Sequence, residues 1–136
     1  VAELIGARLP KHPIDGKSIV HLLKGTSDTS PHEAYYFYYG RQLQAIRMGK
    51  WKLHFPHGYR TMAGRPGGTG GIPTRYSQAK IGLALFDMEK DIGETTDVKA
   101  KHPDIVKQLQ ALGEKMRNEL GDNGRSGTGL RPPGQL

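Results

Sequence analysis

"YYFYYGRQLQAIRMGKWKLHF", residues 35–55, decides the fold, because it reads as three short β-prone runs separated by turn residues. Aromatic and β-branched side chains suit a pleated, half-buried surface, and Gly and charge bound each run. The strands expected here cover 34–40, 43–48 and 51–55, and "LALFDM" at 83–88 has the same character and supplies a fourth. Gly49 and Lys50 leave two residues between the second and third runs, the spacing of a tight hairpin whose turn needs a positive φ. Alternation then puts Trp51, Leu53 and Phe55 on one face, with Lys52 and His54 on the other.

From Pro103 the period changes. Ile105, Leu109, Leu112, Met116 and Leu120 recur at steps of four and three, which makes one stripe of an α-helix. Pro103 suits the first turn, Asp104 complements the dipole, and Gly121 ends the helix. The fold expected is α+β: a four-stranded antiparallel sheet with a long C-terminal helix on one face. The first strand carries aromatics on both faces, Tyr35, Phe37 and Tyr39 against Tyr36 and Tyr38, and one helix covers one face. A further layer from outside these residues is therefore expected. The first residue, Val1, and the absence of a leader-like segment suggest a cut through a longer polypeptide.

Two stretches lack a period. "PHGYRTMAGRPGGTGGIPTRYSQAKIG", residues 56–82, is dense in Gly and Pro and is expected to be a long irregular loop, and residues 121–136 an irregular tail. The net charge of +7 is uneven. Residues 57–82 hold Arg60, Arg65, Arg75 and Lys80 with no acid, whereas 83–120 hold eight acids against six bases. The basic stretch points to an anionic partner.

Several chemistries fail on the residues themselves. There is no cysteine, hence no disulfide framework, thiolate zinc site or cysteine nucleophile in these residues. Asp87, Glu89, Asp91 and Glu94 start like a calcium loop, but counting from Asp87 puts Ile92 where Gly is required and Val98 where a bidentate Glu is required. The acidic run is expected to be a solvated connector leading into the helix. His54 and His57 have no Cys and no carboxylate close in sequence, so zinc is not expected. "GRPGGTGG" lacks the Lys-Ser/Thr ending of a phosphate loop, and no Gly-x-Ser-x-Gly elbow occurs. No window approaches the roughly 18 apolar residues of a membrane span. Tyr35 to Arg41 beside basic residues offers a rival reading as a stand-alone anion- or nucleic-acid-binding module, but the aromatic RNA-binding signature is absent and nucleic acid is not the expected partner.

Read in order, "IDGKSIVHLLKG", the segment 35–55, "LALFDMEKDIGETTDV" and "HPDIVKQLQAL" resemble the C-terminal region of arylsulfatases of the sulfatase family. The more specific parts are Ala45-Ile46-Arg47 followed by Gly49, Trp51 and Lys52, and Leu85-Phe86-Asp87 through Asp91 to Glu94. The resemblance covers nearly the whole of residues 1–136. It implies a C-terminal subdomain docked on a larger α/β catalytic domain, with a sulfated small molecule or glycan as substrate and a periplasmic, secreted or lysosome-like setting. It also implies formylglycine, made from a Cys or Ser in a C-x-P-S-R-like motif, and a calcium or related divalent ion, both belonging to the large domain. Neither motif stands in this sequence, so no catalytic or metal-binding residue is carried over, and the chain alone is expected to be inactive. What the resemblance leaves for these residues is structural support and a cationic substrate rim, with His54, His57 and Arg60 as candidates and Arg75 beside them.

Overall fold

The structure, a computed structural model, describes residues 1–12 and 14–130. The chain divides into two compact units, Val1–Ala34 and Tyr35–Leu136. The first holds two single-turn helices, α1 (Ala2–Ile5) and α2 (Val20–Leu23), with Val20 as its buried apolar residue. Lys17 donates to the Pro31 carbonyl at 2.9 Å, and the Ser18 hydroxyl donates to Glu3.

The second unit contains strands β1 (Tyr35–Tyr39), β2 (Gln42–Met48), β3 (Trp51–His54), β4 (His57–Thr61), β5 (Ser77–Ile81) and β6 (Ala84–Asp87). A 3₁₀ turn at Lys99–Lys101 precedes helix α3 (Pro103–Leu120), and two short strands follow it, β7 (Gly121–Asp122) and β8 (Arg125–Ser126). The main sheet is four-stranded in the order β1-β2-β3-β6, antiparallel throughout, with the helix against β2 and β3. This is the α+β sheet and helix expected from the sequence. The hairpin also closes as expected, Met48 opposite Trp51, with Gly49 at φ 55°.

Register separates the two faces. Ile46, Leu53 and Leu85 lie opposite one another on three adjacent strands and are fully buried with Leu109 of the helix. The apolar surface these residues remove from water is the main force holding helix to sheet. The helix comes this close because position 113 is glycine. A Cβ there would lie 2.6 Å from Phe55 Cζ and 3.2 Å from Ile46 Cδ1.

Four expectations need correction. The helix stripe is not all apolar: Leu120 is exposed, while buried Gly113 and half-buried Arg117 complete the inner face, with the Arg117 guanidinium 4.2 Å from the Phe55 ring centre. Residues 56–82 are not one irregular loop, because β4 and β5 pair from His57–Ile81 to Thr61–Ser77 and make a two-stranded ribbon. Glycine and proline crowd only the connection between its strands, which hid the flanking runs. The tail is likewise not irregular from its start, since Gly121 pairs with Ser126 and Asp122 with Arg125; residues 131–136 of the expected tail lie outside the described residues. The acidic run is a solvated connector only in part: Glu89 is exposed, but Asp87 is buried and Asp91 and Glu94 are half-buried.

Candidate functional site on the sheet face opposite the helix

Alternation sends Lys52 and His54 to the side of β3 away from α3. The segment after β6 is pinned at both ends. Asp87 pairs with Lys50 at 3.1 Å, and Asp97 accepts the Leu85 amide at 3.0 Å. Between them Asp91 accepts the backbone N–H groups of Thr95 and Thr96, each within 2.8 Å of Oδ2, and the turn so formed holds Glu94 at φ 54°. A left-handed backbone is costly for a side chain that lacks a local reason to adopt it. Here it aims the Glu94 carboxylate at one lysine and one histidine. Lys52 Nζ meets Oε1, and His54 Nε2 lies 2.8 Å from Oε2.

Two acids of the run, Asp91 and Asp87, are thereby tuned. The Thr95 and Thr96 amides hold the Asp91 carboxyl below the usual carboxylate value. Burial pushes Asp87 up, but the Lys50 hydrogen bond and the Glu89 amide outweigh it and leave the group lowered. His54 shows the opposite balance. Burial lowers its pKa, and Lys52 and His57 lower it further, against the raising effect of Glu94. The His54–Glu94 contact is close without the alignment of a hydrogen bond, and among the described residues the buried Nδ1 has no hydrogen-bond partner.

His57 opens the ribbon immediately beyond. Its Nδ1 lies 2.7 Å from the Phe55 carbonyl, an acceptor that orients the ring with a proton on Nδ1. The rings of His54 and His57 stack at 5.4 Å, and Tyr59 meets His57 edge-on at 6.4 Å. Two clefts adjoin along this line. One, of about 270 Å³, is walled by His54, His57, Tyr59, Ile81, Gly93 and Glu94. The other, of about 400 Å³, is lined by Tyr39, Gln44, Gly58, Tyr59, Arg60 and Gln78. Tyr59 lines both.

The four candidates therefore separate. His54 and His57 meet in one cleft, and Arg60 stands in its neighbour, directly across the ribbon from Gln78. Arg75 is exposed on the connection between the ribbon strands and lines neither cleft. Arg60 has no ion pair or side-chain hydrogen bond among the described residues. Sequence reading missed Glu94 as the partner of Lys52 and His54, because no local pattern shows that a turn will carry it back over β3. It also missed Tyr39, Tyr59, Gln44 and Gln78. The signal for Tyr59 was present in the alternation of His57, Tyr59 and Thr61, which glycine and arginine between them obscured. Among the described residues no group of three or more His, Cys, Asp or Glu side chains is placed to hold a metal ion.

Comparison with known proteins agrees with this architecture. A family model described as the C-terminal region of aryl-sulfatase matches residues 30–127. Steryl-sulfatase of Mus musculus is 29% identical over 134 residues, covering 88% of this chain and 22% of its own length. Human arylsulfatase D is 36% identical over 136 residues, covering 88% of this chain and 23% of its own, and human arylsulfatase A is 30% identical over 125 residues, covering 82% and 24%. Among solved structures, a chain from the metabolism of multiple glycosaminoglycans by Bacteroides thetaiotaomicron superposes with a TM-score of 0.56 at 23% identity, over 85% of this chain and 23% of that one. The chain thus spans less than a quarter of the length of these relatives. With a family match that takes in the sheet, the ribbon, the Glu94 turn and the helix, the chain belongs to the sulfatases, as an aryl-sulfatase C-terminal region.

Proposed function

We propose that this chain serves as the C-terminal subdomain of an arylsulfatase-like sulfuric ester hydrolase, where it supports a larger catalytic domain of the same polypeptide and offers a cationic rim to a sulfated substrate. The observation that carries the reading is Arg60, an unpaired guanidinium in an open cleft that adjoins the His54–His57 pair. A fixed planar fork of donors suits a sulfate's oxygens, and an acid-free basic segment around it raises the local concentration of anions. His57 adds a ring held in one orientation. Arg75 contributes charge at longer range from its exposed position.

The hydrolysis itself is assigned elsewhere. Formylglycine and a divalent cation are what the family resemblance implies for the catalytic domain, and the residues of this chain do not fit them: the formylglycine motif is missing from the sequence, and no metal-binding group exists among the described residues. No step of the reaction is routed through this chain. An exported or lysosome-like setting follows from the same resemblance; among the described residues no helix is long and apolar enough to cross a membrane.

The test is kinetic. Arg60→Ala in the complete polypeptide raises KM for an anionic ester about three- to tenfold and leaves kcat close to wild type, because attraction that is equal in ground and transition states changes binding alone. An unchanged KM refutes the rim. The 136-residue chain by itself hydrolyses no aryl sulfate above a buffer blank, with calcium or magnesium present; turnover by the purified chain refutes that part.

A further inference from the structure

After α3 the chain reverses in a short hairpin. Gly121 pairs with Ser126 and Asp122 with Arg125, so Asn123 and Gly124 are its two turn residues, and Gly124 stands at φ 76°. A turn of that length needs a positive φ, which glycine adopts without steric cost. Both residues are exposed, and neither the Asn123 side chain nor the Gly124 amide has a hydrogen-bond partner among the described residues. The space around Gly124 is open as well: a Cβ there would meet nothing within 4 Å.

We propose that Asn123 is a site of self-modification, at which the side-chain amide is lost and isoaspartate forms. The Gly124 amide nitrogen, once deprotonated, attacks Asn123 Cγ, and the new C–N bond closes a five-membered succinimide. The Cγ–Nδ2 bond breaks, and ammonia leaves with the hydrogen that Gly124 gave up. Water then adds to one ring carbonyl and opens its C–N bond. Cleavage at Cγ leaves aspartate; cleavage at the main-chain carbonyl leaves isoaspartate, whose backbone runs through Cβ and Cγ and is one methylene longer. Water alone is consumed and ammonia alone released, so the reaction needs neither the rim nor a catalytic domain. Asn118, the other asparagine of the sequence, is protected. It lies inside α3, its Oδ1 accepts from Arg125, and Glu119 after it gives its amide to the helix ladder.

An extra methylene in this turn has nowhere to go. The hairpin is closely packed, and the chain beyond it lies against the last turn of the helix. A Cβ on Gly121 would be 2.5 Å from the Arg125 carbonyl oxygen, and one on Gly127 would overlap the Glu119 carbonyl. Asp122, next to the reacting residue, accepts from the Leu43 amide, from Arg117 Nε and from the Asn123 N–H. Lengthening the backbone beside it breaks the Asp122–Arg125 register and draws this carboxylate off Leu43. Conversion of Asn123 is thus a slow, one-way release of the fastening between the end of α3 and β2.

The experiment ages the complete polypeptide over weeks at neutral and at mildly alkaline pH. Mass spectrometry follows the tryptic peptide between Arg117 and Arg125, with fragment ions locating the change, and hydrogen exchange reads Leu43. Conversion is expected at Asn123, faster in the alkaline sample and with isoaspartate exceeding aspartate, while Asn118 stays intact. In converted molecules Leu43 exchanges about tenfold faster, the scale of one lost hydrogen bond. Asn123→Gln, whose ring would have six members, stays unconverted and keeps Leu43 protected throughout. Freshly purified Asn123→Asp carries the new charge without the methylene and keeps Leu43 protected too. An intact Asn123 after ageing, or earlier conversion at Asn118, overturns the site. Conversion that leaves Leu43 at its starting protection overturns the release, as does a fresh Asn123→Asp that exchanges as fast as aged wild type.

Discussion

Glu94 Oε2 lies 2.8 Å from His54 Nε2, and the same carboxylate holds Lys52, so one residue in a left-handed turn ties the loop after β6 to the outer face of β3. The Lys52 and His54 side chains are both mostly shielded from water, which makes the carboxylate more than a surface partner. Glu94→Gln leaves the Lys52 ammonium without its counter-charge and is expected to cost about 1–3 kcal/mol. Because Glu94 raises the His54 pKa, the same substitution lowers it further. Denaturant unfolding and a histidine NMR titration check the two parts; unchanged stability or a raised His54 pKa would contradict the arrangement.

Acid sensitivity should come in two windows. His54 is lowered from its ordinary 6.5 by burial first, so below that pH the unfolded chain binds a proton that the folded chain resists. Stability is therefore full above about pH 6.5 and falls as the pH drops towards the folded value. A second fall comes at lower pH, when Asp87, Asp91, Asp97 and Asp122, all lowered from 3.8, must be protonated. His54→Gln removes the first fall and leaves the second. Melting temperatures of wild type and variant from about pH 2 to pH 8 measure this, and parallel curves would show that His54 plays no part.

Gly113→Ala sets two effects against each other. Alanine gains about 1 kcal/mol of helix propensity, whereas its methyl would meet Phe55 Cζ at 2.6 Å. Phe55 is itself held by Arg117 and buried, so it yields poorly, and overpacking costs about 1–3 kcal/mol. Lower stability is expected. A stabilised variant would mean that helix and sheet are not in contact at this point.

The end of α3 is fastened by polar groups. Asp122 accepts from Arg117 Nε and from the Leu43 amide, and the Tyr38 hydroxyl donates to the Gly121 carbonyl at 2.9 Å. Asp122→Ala strands the Leu43 amide and frees Arg117, with an expected loss of about 1–3 kcal/mol. Hydrogen exchange at Leu43 provides the local reading: protection as strong as in wild type would contradict the bond.

What the sequence disclosed and what it hid follow from the range of the interactions. Trp51, Leu53 and Phe55 announced their shared face because strand alternation is local, and Pro103 to Gly121 announced a helix for the same reason. Residues 57–61 and 77–81 form strands only by pairing with each other across a glycine-rich connection, and neither run shows that pairing alone. The acidic run was visible as charge. Its meaning depended on a turn at Asp91 that folds Glu94 over Lys52 and His54, a placement fixed in three dimensions. Tyr39, Gln44 and Arg60 are brought to one cleft by three different strands, so no spacing links them.

The most direct test of the central claim is the salt dependence of KM for the complete polypeptide with wild-type residue 60 and with Arg60→Ala, using one anionic ester. If Arg60 draws the substrate through charge, KM of the variant exceeds that of wild type about three- to tenfold at low ionic strength, and the two converge as salt shortens the Debye length from about 30 Å at 0.01 M to about 3 Å at 1 M. Matching KM values at low salt would contradict the claim, as would a difference that salt leaves untouched.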